Sequence, residues 1–281
     1  MKKRFIGIAL LSCAVVAVSP ALADNSWGNY HWARTNNPFT LRVVDAVSPT
    51  WDPYLDEAIA DWSASSVLNL TEEAGTDINT KKCTAMAGKI LACNALYGQR
   101  GWLGLASIWA SGNHITQATT KVNDTYFNMA QYNTPAWRRM VMCQEIAHDF
   151  GLDHQDEGFG PPNLGSCMDY TDDPDGGGAF GPSNEHPNAH DFAQLETIYA
   201  HLDASNSYSA SVSTNFGIRT VGGPPASPPG LSEEAGDSPA EWGRAIGTDG
   251  RGRPNLYVQD LGGGRKKFTH VFWAIGEGPR N

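Results

Sequence analysis

The sequence predicts an α+β fold followed by a C-terminal extension. Residues 39–44 alternate apolar and polar side chains, as a half-buried strand does. Residues 104–110 and 115–123 are two further strand-like runs, joined by a short polar turn. Residues 137–150 and 188–202 instead carry apolar side chains at helical spacing. Together these runs place strands and helices in one α+β domain.

The chain begins with a predicted secretory signal peptide at residues 1–23. Three basic residues precede an apolar run at 5–18, and Ala21-Leu22-Ala23 provides a small-x-small cleavage site. The apolar run is short for a membrane span, so we expect no transmembrane segment. Lipid attachment at Cys13 is a less favoured alternative, because the apolar run continues past it to the cleavage site. The expected location is secreted or periplasmic.

The charge balance excludes some classes of partner. The whole chain has 20 basic and 30 acidic residues, and loss of three basic residues with the signal peptide moves the net charge from −10 to −13 (17 minus 30). A surface this acidic argues against nucleic acid or an anionic membrane as the main partner. It suits a soluble exported protein.

Two segments after the signal peptide predict the first strand–helix–strand unit. Asp52 and Pro53 are typical of a helix start, and the apolar residues that follow them recur at helical spacing up to Trp62. Residues 67–70 predict the next strand. Further along, Asn133-Thr134-Pro135 is a start signal for the helix at 137–150.

The last predicted helix begins at Asn188, and its apolar face is expected to point at the core. His190 and His201 fall within this helix and are interpreted as structural. The predicted core-facing residues are Phe192, Leu195, Ile198, Tyr199 and Leu202.

Cysteine usage predicts two disulfide bonds. The sequence has five cysteines, and four remain once Cys13 leaves with the signal peptide. An even number of cysteines in an exported chain is typical of disulfides, and four cysteines allow three pairings. Cys83 and Cys93 are near enough in sequence to close a small loop.

The most informative stretch is residues 144–154. On a helix, positions four apart project to the same side, so Gln144 and His148 would point at one place with Glu145 beside them. Gly151 can adopt the positive φ that ends a helix, and the chain can then return His154 to the same place. This pattern predicts a metal site with a carboxylate next to it.

The stretch resembles the extended zinc motif of the metzincin metallopeptidases, His-Glu-x-x-His-x-x-Gly-x-x-His. Glu145, His148, Gly151 and His154 match the motif, and Gln144 stands where its first histidine would be. Residues 166–170, Ser-Cys-Met-Asp-Tyr, resemble the Met-turn of the astacin and serralysin branches. The resemblance spans roughly residues 39 to 203. It implies a zincin-like domain, with a twisted mixed sheet behind the active-site helix and the Met-turn.

The resemblance also implies a function, that of a secreted zinc endopeptidase acting on a protein or peptide substrate. Gln144, His148 and His154 would bind one Zn²⁺, which lowers the pKa of a bound water and polarises the scissile carbonyl. Glu145 would be the general base, and Tyr170 would stabilise the oxyanion or bind zinc in the resting state. Met168 is expected to pack without taking part in the chemistry.

An alternative from a different class is a pseudopeptidase, a secreted protein-binding module that keeps the fold but turns over weakly or not at all. Retention of Glu145 and Tyr170 favours the enzyme, because a binding module needs neither. If Gln144 does not face the metal, Tyr170 or Asp156 are the other candidates for the third ligand. The sequence does not indicate an oligomeric state.

Three further expectations follow from the resemblance. Residues 105–109 would be the sheet edge that pairs with extended substrate. Residues 171–187 would border a substrate pocket; calcium binding by their aspartates has no supporting ligand spacing. A Cys143–Cys167 disulfide would join the metal helix to the Met-turn.

Composition divides the chain into four parts. After the signal peptide come a catalytic domain at 24–204, a Ser-, Pro- and Gly-rich linker at 205–240, and a C-terminal extension at 241–281. Within the extension, residues 256–259 and 268–274 predict a β-hairpin. Because two strands alone are rarely stable in water, the hairpin must pack on the domain or a partner, or stay disordered.

Overall fold

The computed structural model describes residues 25–208 and 234–279. The predicted signal peptide and the middle of the predicted linker lie outside the described residues. Within the described ranges the chain is an α+β protein, built on one mixed nine-stranded sheet with a few helices. The α+β class expected from the sequence is therefore confirmed.

The sheet combines a parallel half and an antiparallel half. Its order is β3-β2-β4-β6-β5-β9-β8-β7, and β1 pairs with the start of β6. Pairings among β1, β2, β3, β4 and β6 are parallel, whereas those from β6 through β5, β9 and β8 to β7 are antiparallel. The strands are β1 His31–Trp32, β2 Phe39–Ala46, β3 Leu68–Ala74, β4 Ile90–Ala95, β5 Trp102–Ser111, β6 His114–Asn123, β7 Arg244–Thr248, β8 Pro254–Gly262 and β9 Arg265–Trp273.

The helices are few and mostly short. They are α1 Asp52–Trp62, α2 Asp124–Phe127, α3 Pro135–His148, α4 Ala189–Ile198 and α5 Pro239–Trp242. Helices α1 and α3 pack together, and the Trp62 indole donates a hydrogen bond to the Cys143 carbonyl between them at 3.0 Å. Across the two described ranges, no helix is both long and apolar enough to cross a membrane.

Helix α3 has the start and end that its sequence predicts. The Thr134 side chain accepts a hydrogen bond from the Trp137 backbone N–H, and Pro135 occupies the first turn. Past the end of α3, Gly151 has a φ of +103°, and a Cβ there would lie 2.5 Å from the Tyr30 carbonyl oxygen. Only glycine therefore allows the chain to turn back so close to the N-terminal segment.

The C-terminal extension joins the sheet. Strands β8 and β9 form the predicted hairpin, and β9 pairs antiparallel with β5 from Trp102 to Ser111. This corrects the expectation that residues 105–109 form a free sheet edge, because β5 lies between β6 and β9. Pairing between distant segments is not encoded in the local pattern of either strand, so the sequence did not reveal it.

Helix α4 is shorter than predicted. Asn188 caps it with a capping box, but the helix ends at Ile198. Leu202 is consequently exposed instead of facing the core, and His201 lies beyond the helix and contacts His31. Leu195 and Tyr199 are buried as expected.

Both described ends of the predicted linker pack on the domain. Ser207 donates a hydrogen bond from its hydroxyl to the Ile115 carbonyl and accepts one from the Ala33 N–H. Ala235 is fully buried, and Glu234 bridges to Thr84.

Two disulfide bonds are present, Cys83–Cys93 and Cys143–Cys167. The second links α3 to the segment that holds Met168, as the resemblance implies. The Cys167 carbonyl also accepts a hydrogen bond from the Gln144 amide at 2.7 Å. The disulfide and this hydrogen bond therefore both connect α3 to the segment that holds Met168.

We expect the Cys143→Ala/Cys167→Ala double variant to lose about 3 kcal/mol of free energy of unfolding, because its disulfide closes a loop with a sequence separation of 24. The matched Cys83→Ala/Cys93→Ala variant opens a loop with a separation of 10 and should lose somewhat less. Denaturant unfolding of oxidised protein measures both. A free thiol at Cys143 or Cys167 in non-reducing peptide mapping would contradict the pairing.

Candidate metal centre

The end of α3 and the turn after it place two imidazoles together. The Nε2 atoms of His148 and His154 lie 3.1 Å apart, and both side chains are buried. His148 Nδ1 lies 2.8 Å from the Leu152 carbonyl oxygen, and His154 Nδ1 lies 2.9 Å from Glu157 Oε1. Carbonyl and carboxylate oxygens only accept hydrogen bonds, so each Nδ1 carries a proton.

This arrangement leaves the two Nε2 atoms facing each other. In the neutral rings each Nε2 holds a lone pair, and two lone pairs at 3.1 Å repel unless a cation lies between them. Outer partners that fix the Nδ1–H in this way are typical of metal-binding histidines. A proton on His154 or a metal ion would satisfy the pair.

A third imidazole comes from β9. One ring nitrogen of His270 lies within 4.8 Å of the ligand atoms of His148 and His154. The His270 ring stacks on His148 with centroids 4.0 Å apart and is buried. Neither His270 ring nitrogen makes a hydrogen bond among the described residues, although Asp153 Oδ1 lies 3.3 Å from Nε2.

Electrostatics favour neutral rings at two of the three positions. Burial and the neighbouring imidazoles lower the pKa of His148, and burial and His154 lower that of His270. Burial also works against a proton on His154, but the carboxylates of Glu157, Asp153 and Asp169 together outweigh burial and raise the pKa of His154. Two neutral imidazoles beside a third with a fixed tautomer are suitable donors for Zn²⁺.

The three histidines therefore fit a zinc ion in donor type and proximity, and His148 and His154 also fit in tautomer. One adjustment is needed: the rings of His148 and His270 are parallel, with an interplanar angle of 4°, so they must tilt to aim at a common centre. A proton shared by His148 and His154 would leave His270 with Asp153 Oδ1, 3.3 Å from its Nε2, as its nearest charged neighbour. A metal ion can serve all three rings.

Gln144 makes a different contact from the one expected of a ligand. Its amide nitrogen donates to the Cys167 carbonyl, and its Oε1 is buried without a hydrogen-bond partner among the described residues. Its role as a ligand remains a prediction. Asp156 is one of the alternatives for the third ligand. Its carboxylate accepts a hydrogen bond from the Gly158 N–H.

Glu145 lies against the backbone of β5. A Cβ on Gly104 would be 2.4 Å from Glu145 Oε1, so only glycine leaves room for the carboxylate. Both carboxylate oxygens are buried and make no hydrogen bond within the described ranges. Burial, followed by the charge of Asp149, raises the pKa of Glu145 well above its usual range. Such a carboxyl group binds a proton readily.

Tyr170 lies next to the imidazoles. Its ring centroid is 4.2 Å from that of His154, and its hydroxyl accepts a hydrogen bond from Asn255 Nδ2 at 3.2 Å. The same Asn255 nitrogen lies 3.1 Å from Glu157 Oε2, which ties β8 to the partner of His154. Strands β8 and β9 thus both contribute to the centre.

The structure brings His148, His154 and Tyr170 together and adds His270, whereas Glu145 lies one helical turn before His148 and against Gly104. Sequence reasoning missed His270 because it lies in the extension, beyond the motif. One local signal exists: Phe268, His270 and Phe272 alternate on one side of β9, and the two phenylalanines belong to the main core. A histidine between two core-facing phenylalanines is a polar residue in an apolar row.

The centre is closed from solvent by the protein itself. Glu145, His148, Tyr170 and His270 are at most 2% exposed, and His154 is 7% exposed. Within the described part of the chain, no convergent group of metal-ligating side chains includes an aspartate of residues 171–187.

No protein-family model and no curated protein matches the sequence. Among solved structures, the chain is similar to high choriolytic enzyme 1, a hatching enzyme zinc-protease from the medaka fish Oryzias latipes. The match has 10% sequence identity and a TM-score of 0.35, and it covers 60% of this chain and 94% of the fish protein.

Proposed function

We propose that the protein is a zinc-dependent hydrolase of peptide bonds, with His148, His154 and His270 as its metal ligands. The observation that carries this proposal is the pair of imidazole nitrogens 3.1 Å apart whose outer partners fix both lone pairs toward each other. The adjacent His270 supplies a third donor of the same kind. Three histidines with a fourth position for water are a common catalytic zinc set.

In this proposal Gln144 positions α3 against the Met168 segment through its bond to the Cys167 carbonyl. The third ligand is then His270 in β9 and not Gln144 in the motif. The imidazole of His270 is a better zinc donor than an amide oxygen. The hairpin that blocks the β5 edge would then be part of the centre.

The protein's own groups supply the rest of the chemistry. A bound zinc ion contributes Lewis acidity, which lowers the pKa of water and polarises a carbonyl. Glu145, one helical turn before His148 and without a hydrogen-bond partner in the described structure, takes the proton of the attacking water and delivers it to the leaving amine. Tyr170 donates its hydroxyl proton toward the oxyanion. Asn255, which already bonds that hydroxyl, holds it in place.

A second candidate function is a zinc-binding protein without turnover. The observation that favours it is burial: the five side chains at the centre are at most 7% exposed, and β9 covers the edge where an extended peptide would add. Turnover therefore requires the substrate to enter from another side or β9 to move.

Chelation separates the two candidates. Purified, oxidised full-length chain should contain zinc and should generate new amino termini from an unstructured protein substrate. Treatment with a chelator should abolish both, and zinc should restore both. Hydrolysis that survives complete metal removal would refute the zinc mechanism. Zinc binding without hydrolysis would establish the second candidate.

A further inference from the structure

A second group of histidines lies outside this centre, at the junction of three chain segments. His31 in β1 and His114 at the start of β6 are directly paired in the sheet, and His201 and Asp203 follow α4. Asp203 Oδ1 lies 3.2 Å from His114 Nε2, 3.5 Å from His31 Nε2 and 3.7 Å from His201 Nε2. The Nε2 atoms of His31 and His201 are 3.1 Å apart.

Two of the four groups, His31 and Asp203, have an outer partner that leaves one ligand atom facing the cluster. His31 Nδ1 lies 2.7 Å from the Asn29 carbonyl oxygen, which can only accept, so the Nε2 of the neutral ring presents its lone pair to the cluster. The Oδ2 atom of Asp203 accepts hydrogen bonds from the backbone N–H and the guanidinium of Arg34. These contacts leave Asp203 Oδ1 for the three imidazoles.

A lone pair facing a carboxylate oxygen needs a cation between them. Protons could satisfy these contacts one pair at a time. A single metal ion would satisfy all four groups at once.

The spacing also suits zinc. Four ligands at zinc's usual bond lengths of about 2.0 to 2.1 Å in a tetrahedron lie roughly 3.3 Å from one another. Four of the six separations among these ligand atoms are given above and range from 3.1 to 3.7 Å, and the ligand atoms of His31, His114 and Asp203 all lie within 4.8 Å of one another. The ring of His31 meets those of His114 and His201 edge to face, at 78° and 88°, so the rings do not stack. The His114 and His201 side chains are 44% and 54% exposed, which gives an ion a path in.

We propose that His31, His114, His201 and Asp203 bind a second zinc ion in a structural site. Three imidazoles and one carboxylate fill a tetrahedral shell, so no position is left for substrate. The ion would join β1, β6 and the segment after α4. The next residue after His31, Trp32, donates its indole N–H to the carbonyl of Asp149 at 2.9 Å. Through this contact the site would stabilise the position of the C-terminal end of α3.

The test is zinc titration of oxidised full-length protein after chelator treatment, with metal content and thermal unfolding as readouts. We expect His114→Ala and His201→Ala each to lose one equivalent of zinc relative to the wild type, together with part of the zinc-dependent rise in Tm. Loss of a direct ligand should weaken binding by more than the roughly 10- to 100-fold that loss of an outer partner costs. Co²⁺ bound in place of zinc should lose its tetrahedral absorption component in the same variants.

The matched control is His186→Ala. His186 is a similarly exposed histidine that pairs with Asp61 away from both clusters, so its loss should change neither readout. His270→Ala should remove the other equivalent and keep this one, so the two sites can fail separately. If His114→Ala and His201→Ala retain full zinc content, or if zinc raises Tm equally in them and the wild type, the proposal is wrong.

Discussion

The Glu145→Gln variant should keep its zinc and its fold while peptide hydrolysis falls by about 10²- to 10⁴-fold. Glutamine has nearly the same size and can lie against Gly104 as the carboxylate does. It cannot accept the proton of the attacking water or return it to the leaving amine. Comparison of kcat/KM, zinc content and Tm with the wild type separates this loss from misfolding.

Asp149→Asn is the matched control for Glu145→Gln. Asp149 is also a buried carboxyl group near the end of α3, and burial raises its pKa too, but its Oδ2 accepts a hydrogen bond from the Thr120 hydroxyl. Asparagine can accept the same bond, so hydrolysis should stay within about tenfold of wild type if only Glu145 carries protons. Near-normal turnover by Glu145→Gln would remove Glu145 from the mechanism.

The parts of the centre that the sequence predicted are those encoded by nearby residues. Thr134 and Pro135 begin α3, Gly151 ends its turn, and helical spacing alone places Glu145 beside His148. These features depend on backbone preferences over a few residues, so one sequence suffices to predict them.

The parts that the sequence did not predict depend on pairing between distant segments. The alternation in β9 indicates a strand, but it does not say that β5 is the partner strand. The same limit hid His270, which lies 116 positions after His154 (270 minus 154). It also hid the contact of His31 with His201, because local spacing assigned His201 to a helix that in fact ends at Ile198.

The position of His270 bears on two interpretations of the hairpin. If its imidazole binds zinc, β9 is an essential wall of the centre and must be present for metal to bind. If the hairpin is only a cover, the ring merely fills the space above His148, and Gln144 or another group completes the site. The covered edge of β5 is the same in both cases, so only metal affinity and turnover separate them.

His270→Ala should therefore have the largest effect on metal binding of any single change outside residues 144–154. Removing one of three imidazole ligands should weaken zinc binding by more than about 100-fold and abolish hydrolysis at limiting zinc, because outer partners alone are worth 10- to 100-fold. Gln144→Ala is the control and should lose only the bond to Cys167 while keeping zinc. Competitive titration against a chelator of known affinity, with Tm to confirm folding, measures both variants. The reverse result, zinc lost with Gln144→Ala and kept with His270→Ala, would restore Gln144 as the ligand. Retained zinc with faster hydrolysis in His270→Ala would instead identify β9 as a cover over an otherwise complete centre.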